Sequence, residues 1–265
     1  MKIAIVGAAG RMGRMLIAAV QGAEDAELAG GAEAAGHADM GRDLGELIGG
    51  ESAGVAMTSD PRALFEIADV VIDFTAPIAT VAHAGLAAEH GAALIIGTTG
   101  LDAAQQGAVD DAAKKVAIVQ AANYSVGVNV LLGLVEKAAQ ILPDAYDIEV
   151  LEMHHHHKVD APSGTALALG EAAAAGRDVQ LDDVACKARD GIVGARPRGE
   201  IGFATLRGGD VVGDHTVMFA GPGERVEITH KASSREVFAG GAVRAALWAC
   251  TQKPGLYSMK DVLGL

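Results

Sequence analysis

The chain opens with KIAIVG, a continuous apolar run ended by glycine, which is the pattern of a strand buried on both faces. RMGRMLIAAVQGAE follows with apolar residues at helical spacing, and AELAGGAE reads as a second strand closing on Glu33. Residues 1–33 are therefore expected to form a βαβ unit. The pattern then recurs: DVVIDFTA is a strand, PIATVAHAGLAAEHG a helix opened by Pro77 and ended by Gly91, and AALIIGTTG a strand. LDAAQQGAVDDAAKK reads as a helix and VAIVQAAN as another buried strand. Strands alternating with helices predict an α/β domain, a Rossmann-type doubly wound parallel sheet covered on both faces. No element is assigned between residues 34 and 68.

The character changes after a long apolar helix, SVGVNVLLGLVEKAAQIL. AYDIEVLEMHHHH reads as a strand and SGTALALGEAAAA as a helix, and residues 200–233 alternate in strand fashion between the glycine-rich turns RGGD, VVGDH and AGPGE. These segments predict an α+β domain with a mixed, mostly antiparallel sheet. REVFAGGAVRAALWAC returns to helical spacing, so the chain is expected to cross back onto the first domain near residue 235. The expected division is a domain over 1–125 completed by 235–265, and a second domain over 126–234. No internal repeat is visible.

Lys and Arg total 21 against 34 Asp and Glu, a net charge of -13, which argues against nucleic acid or an anionic membrane as partner. A small anionic ligand could still be met by local basic residues. Glycine, at 35 of 265 residues, is about twice its usual share, and several glycines fall where strands hand over to helices. Cys186 and Cys250 form no CxxC pair and no even-numbered secreted framework, so a reducing, cytoplasmic setting is expected. No apolar stretch approaches a membrane span, and the first residues lead into a glycine loop rather than a leader cleavage site.

Gly7, Gly10 and Gly13 in VGAAGRMG lie between the first strand and the first helix, spaced GxxGxxG. Glycines at this turn let the backbone approach a pyrophosphate and aim the helix N-terminus at it. A tight turn needs glycine for its own sake, and an acid in a loop can be merely solvated. Here Glu33 ends the second strand about 20 residues on, where an acid accepts hydrogen bonds from an adenine ribose. The combination predicts dinucleotide binding. Ala34 leaves no arginine immediately beside that acid for a 2'-phosphate, which tilts the choice toward NADH over NADPH. Arg11 could reach a phosphate or cover the helix with its stem.

The segment LEMHHHHKVDAPSGT holds four consecutive histidines in the middle of the chain, unlike a terminal tag. In a continuing strand His154, His156 and Lys158 would face one way, His155 and His157 the other. Four imidazoles so divided cannot close on one metal. Two of them with Glu152 could hold zinc, but the neighbouring lysine cation opposes it and no cysteine is near, so no metal is expected. Ser163 is a candidate N-cap, and the backbone N–H groups of Gly164 and Thr165 make an anion cradle. Beside Lys158 and a histidine, the cradle reads as a pocket for a small carboxylate with a proton donor to hand. Any one of these features alone would be an ordinary helix start behind exposed polar residues.

GAAGRMG, VIDFT, GTTG, AANYSVGVN, HHHHKVDAPSGTA, GFATLRGGDVVGDHTVMF and EITHKASSREVFAGGAVRAALW together closely resemble the 4-hydroxy-tetrahydrodipicolinate reductase (dihydrodipicolinate reductase) family, over nearly the whole chain. The resemblance implies NAD(P)H-dependent reduction of 4-hydroxy-tetrahydrodipicolinate to tetrahydrodipicolinate in the diaminopimelate route to lysine. It also implies a homotetramer built through the substrate-binding domain. In this numbering it makes His154 the acid/base, Lys158 the proton donor, and His155, Ser163, Gly164 and Thr165 the holders of the substrate carboxylates. Cofactor contacts are implied at Gly7, Ala8, Ala9, Gly10, Arg11, Met12, Glu33, Gly97, Thr98, Thr99, Ala121, Ala122, Asn123 and Tyr124. His156 and His157 receive no role, and Ala34 departs from relatives that carry arginine there. For His154, His155 and Lys158 to converge, the strand must bend or end near His155. Two other readings are open: a non-catalytic nucleotide sensor on the same scaffold, and a reductase of another imine or aldehyde.

Overall fold

The computed structural model describes residues 1–265. In chain order the first elements are β1 Lys2–Val6, α1 Arg11–Gln21, β2 Glu27–Ala32, α2 Leu44–Leu47, α3 Pro61–Ile67, β3 Val70–Asp73, α4 Pro77–His90, β4 Ala93–Ile96, α5 Ala103–Ala113 and β5 Ala117–Gln120. They are followed by α6 Val126–Ile141, β6 Asp147–His154, α7 Gly164–Gly176, α8 Leu181–Val184, β7 Ala185–Cys186, β8 Ile201–Arg207, β9 Gly213–Gly221 and β10 Glu224–Ala232. The chain closes with α9 Glu236–Ala249, β11 Gly255–Tyr257 and α10 Met259–Leu263. Two compact units result, Met1–Val126 with Glu236–Gly264, and Gly127–Arg235 with the terminal Leu265.

The first unit is a six-stranded sheet in the order β11-β5-β4-β3-β1-β2, with every pairing parallel. Its apolar runs are continuous because both faces are covered. Ile3, Ile5, Ile72, Ile95 and Val119 face Leu16, Ile17 and Val20 of α1 and the alanine-rich side of α9. Val71, Leu94, Ile96 and Ile118 face Leu64, Phe65, Ala84, Ala87 and Val109 on the other side. Each fully buried aliphatic side chain contributes about 1.5–3 kcal/mol. Small residues let α9 lie close: a Cβ on Gly241 would fall 1.7 Å from the Tyr124 carbonyl oxygen.

Residues 34–68, unassigned from the sequence, hold α2 and α3, capped by Asp43 and Asp60. The Asp43 carboxylate accepts from the backbone N–H groups of Gly45 (2.8 Å), Ala53 (2.8 Å) and Val55 (3.0 Å), so one side chain closes that loop.

The second unit carries a five-stranded sheet, β10-β9-β6-β8-β7. Its long β10/β9 and β9/β6 pairs are antiparallel, whereas β6/β8 and the short β8/β7 are parallel, so the sheet is mixed with antiparallel pairing the larger share, as expected. The parallel β6/β8 pair follows from α7, a helical crossover between β6 and β8 that brings the chain back in the same direction. Leu131, Val135, Leu169 and Ala173 of α6 and α7 pack on Val150, Phe203, Val217 and Phe219. The opposite face presents Leu151 (37 % exposed), Ala204 and Leu206 (48 % exposed).

β6 stops at His154, so alternation does not extend through the histidine run. Beyond it the backbone turns, with His155 N donating to the Val211 carbonyl at 2.7 Å and Lys158 N to the His155 carbonyl at 3.2 Å.

Candidate active site

The glycine loop between β1 and α1 is shaped by close backbone approach. Gly7 has φ +72°, in the left-handed region, and a Cβ on Gly13 would fall 2.1 Å from the Gly7 carbonyl oxygen. Gly10 is the N-cap of α1, and no side chain caps that helix. Glu33 is drawn to the same loop: its Oε2 accepts from Ala9 N at 3.2 Å and its Oε1 from Ala34 N at 2.9 Å. Arg14 Nε donates to the Ala9 carbonyl at 3.0 Å and its Nη2 to Asp39 at 2.9 Å, an anchor the sequence reading did not single out. Arg11 is exposed and Met12 half-buried. Gly7, Glu33, Ala34, Thr75 and His83 are among the residues lining a cavity of about 280 Å³.

The other expected cofactor positions lie at the ends of β4 and β5 in the same unit. A Cβ on Gly97 would fall 2.2 Å from the Phe74 ring, so glycine is required there. Thr98 Oγ1 accepts from Thr75 N at 3.0 Å and from Thr80 Oγ1 at 2.9 Å, and donates to the buried Asp73 carboxylate at 3.3 Å. Its side chain is therefore committed to the protein, whereas Thr99 is exposed. Ala121 and Asn123 are half-buried and Ala122 is exposed. The Tyr124 ring is buried, with its hydroxyl 2.8 Å from the Ile96 carbonyl and 2.9 Å from that of Val119. This side chain supports the loop from beneath, leaving only backbone to face a ligand.

In the second unit, His154 is buried and its Nδ1 lies 2.6 Å from Glu152 Oε2. Glu152, 1 % exposed, takes a two-pronged contact from Arg207 at 2.8 and 2.9 Å and a hydrogen bond from Ser163 N at 3.1 Å. Burial pushes the Glu152 carboxyl up, but Arg207, His154 and the Ser163 N–H outweigh it and hold it below the usual range. Ser163 caps α7 through Ala166 N at 3.2 Å, and its Oγ lies 3.3 Å from His215 Nε2. The His215 ring sits edge-on to His154 with centroids 5.1 Å apart. Burial and the neighbouring His154 push His215 down to about 4. Gly164 and Thr165 are the first residues of α7.

His155 Nε2 accepts from Arg235 Nη2 at 3.1 Å, and burial, then the Arg235 charge, push its titration below the ordinary value. Its Nδ1 is buried without a protein partner. Lys158 Nζ pairs with Asp160 Oδ1 at 2.8 Å. His156 and His157 are exposed, with ring centroids 3.8 Å apart and planes tilted by 46°. Arg207, His215 and Arg235 were not singled out as site residues from the sequence, and Glu152 was weighed there only as a zinc ligand. Glu152 alone carried a usable signal, standing two residues before His154 and hence on the same face of β6.

The family described as dihydrodipicolinate reductase, N-terminus, matches residues 1–124, and that described as dihydrodipicolinate reductase, C-terminus, matches 127–263. The 4-hydroxy-tetrahydrodipicolinate reductase of Ruegeria pomeroyi is 57 % identical over 263 residues, covering 99 % of this chain and 98 % of that protein. The enzyme of the same name from Brucella abortus is 54 % identical over 266 residues, covering 100 % and 99 %. In fold, the chain is similar to dipicolinate-bound dihydrodipicolinate reductase from Paenisporosarcina (TM-score 0.80, 24 % identity, 98 % of each chain). A more distant likeness is to an amine dehydrogenase from Mycobacterium smegmatis (TM-score 0.60, 14 % identity, 97 % and 94 % covered). Matched along almost all of its length by both halves of one family and by relatives of more than half identity, the chain belongs to the dihydrodipicolinate reductase family.

Proposed function

We propose how this chain, a nicotinamide-dependent oxidoreductase that reduces 4-hydroxy-tetrahydrodipicolinate to tetrahydrodipicolinate in lysine and diaminopimelate biosynthesis, divides the work among its residues. The backbone from Gly7 to Met12 takes the pyrophosphate, because glycine permits close approach there and the capless N-terminus of α1 favours an anion. Glu33 takes the adenine ribose. Gly97, Thr98, Thr99, Ala121, Ala122, Asn123 and Tyr124 hold the remainder of the cofactor, Tyr124 through its backbone. The bound nicotinamide supplies the hydride.

On the substrate side Ser163, Gly164 and Thr165 receive one carboxylate at the start of α7, and His155 receives the other through its unpartnered Nδ1. His154 acts as acid/base, and Lys158 stabilises developing negative charge and delivers the proton. The observation that supports this best is that His154 and the α7 N-terminus meet at one end of one sheet, bonded to the same carboxylate. Exposed Ala34 beside Glu33 supplies no cation for a 2'-phosphate, which supports NADH as the preferred cofactor. The helix-free face around Leu151 and Leu206 supports assembly through this sheet, as a homotetramer. Two free thiols support a cytoplasmic setting.

The test is steady-state kcat/KM with NADH and with NADPH on the product of dihydrodipicolinate synthase, generated in situ. Turnover with a higher value for NADH is expected. Failure to oxidise either cofactor would remove the assignment, and a higher value for NADPH would remove the cofactor preference.

A further inference from the structure

We infer that Glu152, braced by Arg207, is the positioning residue of this active site: it fixes the tautomer and aim of His154 and ties it to the α7 cradle. The inference rests on the role proposed above for His154. It begins with cost. A carboxylate buried to 1 % exposure loses several kcal/mol of hydration, and an apolar pair of similar volume would hold the sheet as well, so stability alone does not call for it. What the carboxylate adds is direction.

Its two oxygens can only accept. Oε2 meets His154 Nδ1 at 2.6 Å and Arg207 Nη1 at 2.8 Å, while Oε1 meets Arg207 Nη2 at 2.9 Å and Ser163 N at 3.1 Å. His154 Nδ1 must therefore carry hydrogen, which leaves Nε2 as the free lone pair of the neutral ring. Space over that nitrogen is kept by Gly213, where a Cβ would stand only 3.1 Å from it. Strand β6, strand β8 and the start of α7 thus meet on one side chain. Arg207 extends the tie, donating to the Asp160 carbonyl at 2.6 Å, and Asp160 is the partner of Lys158.

The groups around His154 are Glu152 on its own strand, His155 and Lys158 from the following turn, Arg207 from β8, His215 from β9 and the Ser163 hydroxyl from α7. Glu152 is the carboxylate among them that touches the ring. An anion there favours the imidazolium that forms when His154 accepts a proton, and the Arg207 fork prevents the carboxylate from turning away.

The test has two arms. In histidine-¹⁵N-labelled wild-type protein at pH 8.5, His154 should show a protonated Nδ1 and an unprotonated Nε2. In Glu152→Gln, kcat should fall about tenfold to a hundredfold with KM for NADH unchanged, and the acid limb of the kcat profile should move to lower pH. Arg207→Lys, which keeps the cation but loses the fork, should fall less. A merely structural carboxylate would lower the melting temperature of the variant while leaving the shape of its pH profile as in wild type. An Nε2-H tautomer in wild type, or wild-type kcat with an unmoved acid limb in Glu152→Gln, would overturn the inference. If that variant does not fold, the tautomer decides alone. Should His154→Ala keep full turnover while the tautomer is as stated, the role of His154 fails and the geometry of Glu152 stands.

Discussion

Arg235 Nη2 donates to His155 Nε2 at 3.1 Å, joining the last residue before α9 to the first residue after β6 across 80 positions of sequence. The ring it steadies offers a buried, unpartnered Nδ1, which costs about 1–3 kcal/mol unless a ligand or water pairs with it. Arg235→Ala is expected to raise KM for the dicarboxylate about tenfold, with KM for NADH unchanged. Initial rates with each substrate varied in turn check the split; equal changes in both would remove Arg235 from substrate binding.

Lys158→Ala should lose most of kcat, about a hundredfold or more, because positioned proton transfer supplies about that factor. Cofactor affinity, measured by fluorescence titration of NADH, should hardly change. Wild-type turnover in the variant would take the lysine out of the mechanism.

His215 ties pH to stability. Its folded value of about 4 lies below the ordinary 6.5, so between those values the unfolded chain binds a proton that the folded chain refuses. Stability is fully present above pH 6.5, declines as pH falls toward 4, and levels off below. The contribution is about 3 kcal/mol. Urea unfolding at pH 7 and pH 4.5 should show a shallower decline in His215→Gln than in wild type. His155 and His230 shift in the same direction but are present in both proteins, so the difference isolates His215.

Ala34→Arg should raise kcat/KM for NADPH relative to NADH by at least about tenfold, since a guanidinium beside Glu33 can pair with a 2'-phosphate. Glu33 stays bonded to Ala9 N in this picture, so NADH turnover should survive. An unchanged cofactor ratio would place selectivity elsewhere.

Gly13→Ala places a methyl 2.1 Å from the Gly7 carbonyl oxygen and 2.6 Å from that of Ala8, both backbone atoms that cannot swing aside. The variant should melt lower and lose NADH binding together. Calorimetry with and without NADH checks this: retained binding would show that the turn can reshape.

The strands and helices of the first unit were legible because β1, β3, β4 and β5 are short apolar runs and their helices carry start and stop residues such as Pro77 and Gly91. The segment containing α2 and α3 was not, since its shape depends on Asp43 meeting Ala53 and Val55 ten and twelve residues away, which no local pattern encodes. The edge strand β11 was missed for a related reason, being three residues that become a strand only by pairing with β5. Within the site, residues adjacent in sequence were visible as a cluster. Arg207 and His215 stand 55 and 52 positions from the residues they serve, on strands whose alternation marks a face but not a partner. Resemblance to a family filled in the roles of His154 and Lys158, which spacing alone did not distinguish from their neighbours.

The second unit is an insertion: the chain enters it at Gly127, leaves it at Arg235, and only afterwards supplies α9 and β11 to the first. Ala239, Ala242, Val243 and Ala246 of α9 are core residues of the first unit, and β11 completes its sheet beside β5. On a ribosome, therefore, all but the terminal residue of the inserted unit emerges while the unit begun first still lacks a covering helix and an edge strand. The order of completion reverses the order of synthesis, and a chain arrested near residue 235 would hold an inserted unit nearly whole and a first unit with one sheet face only partly covered.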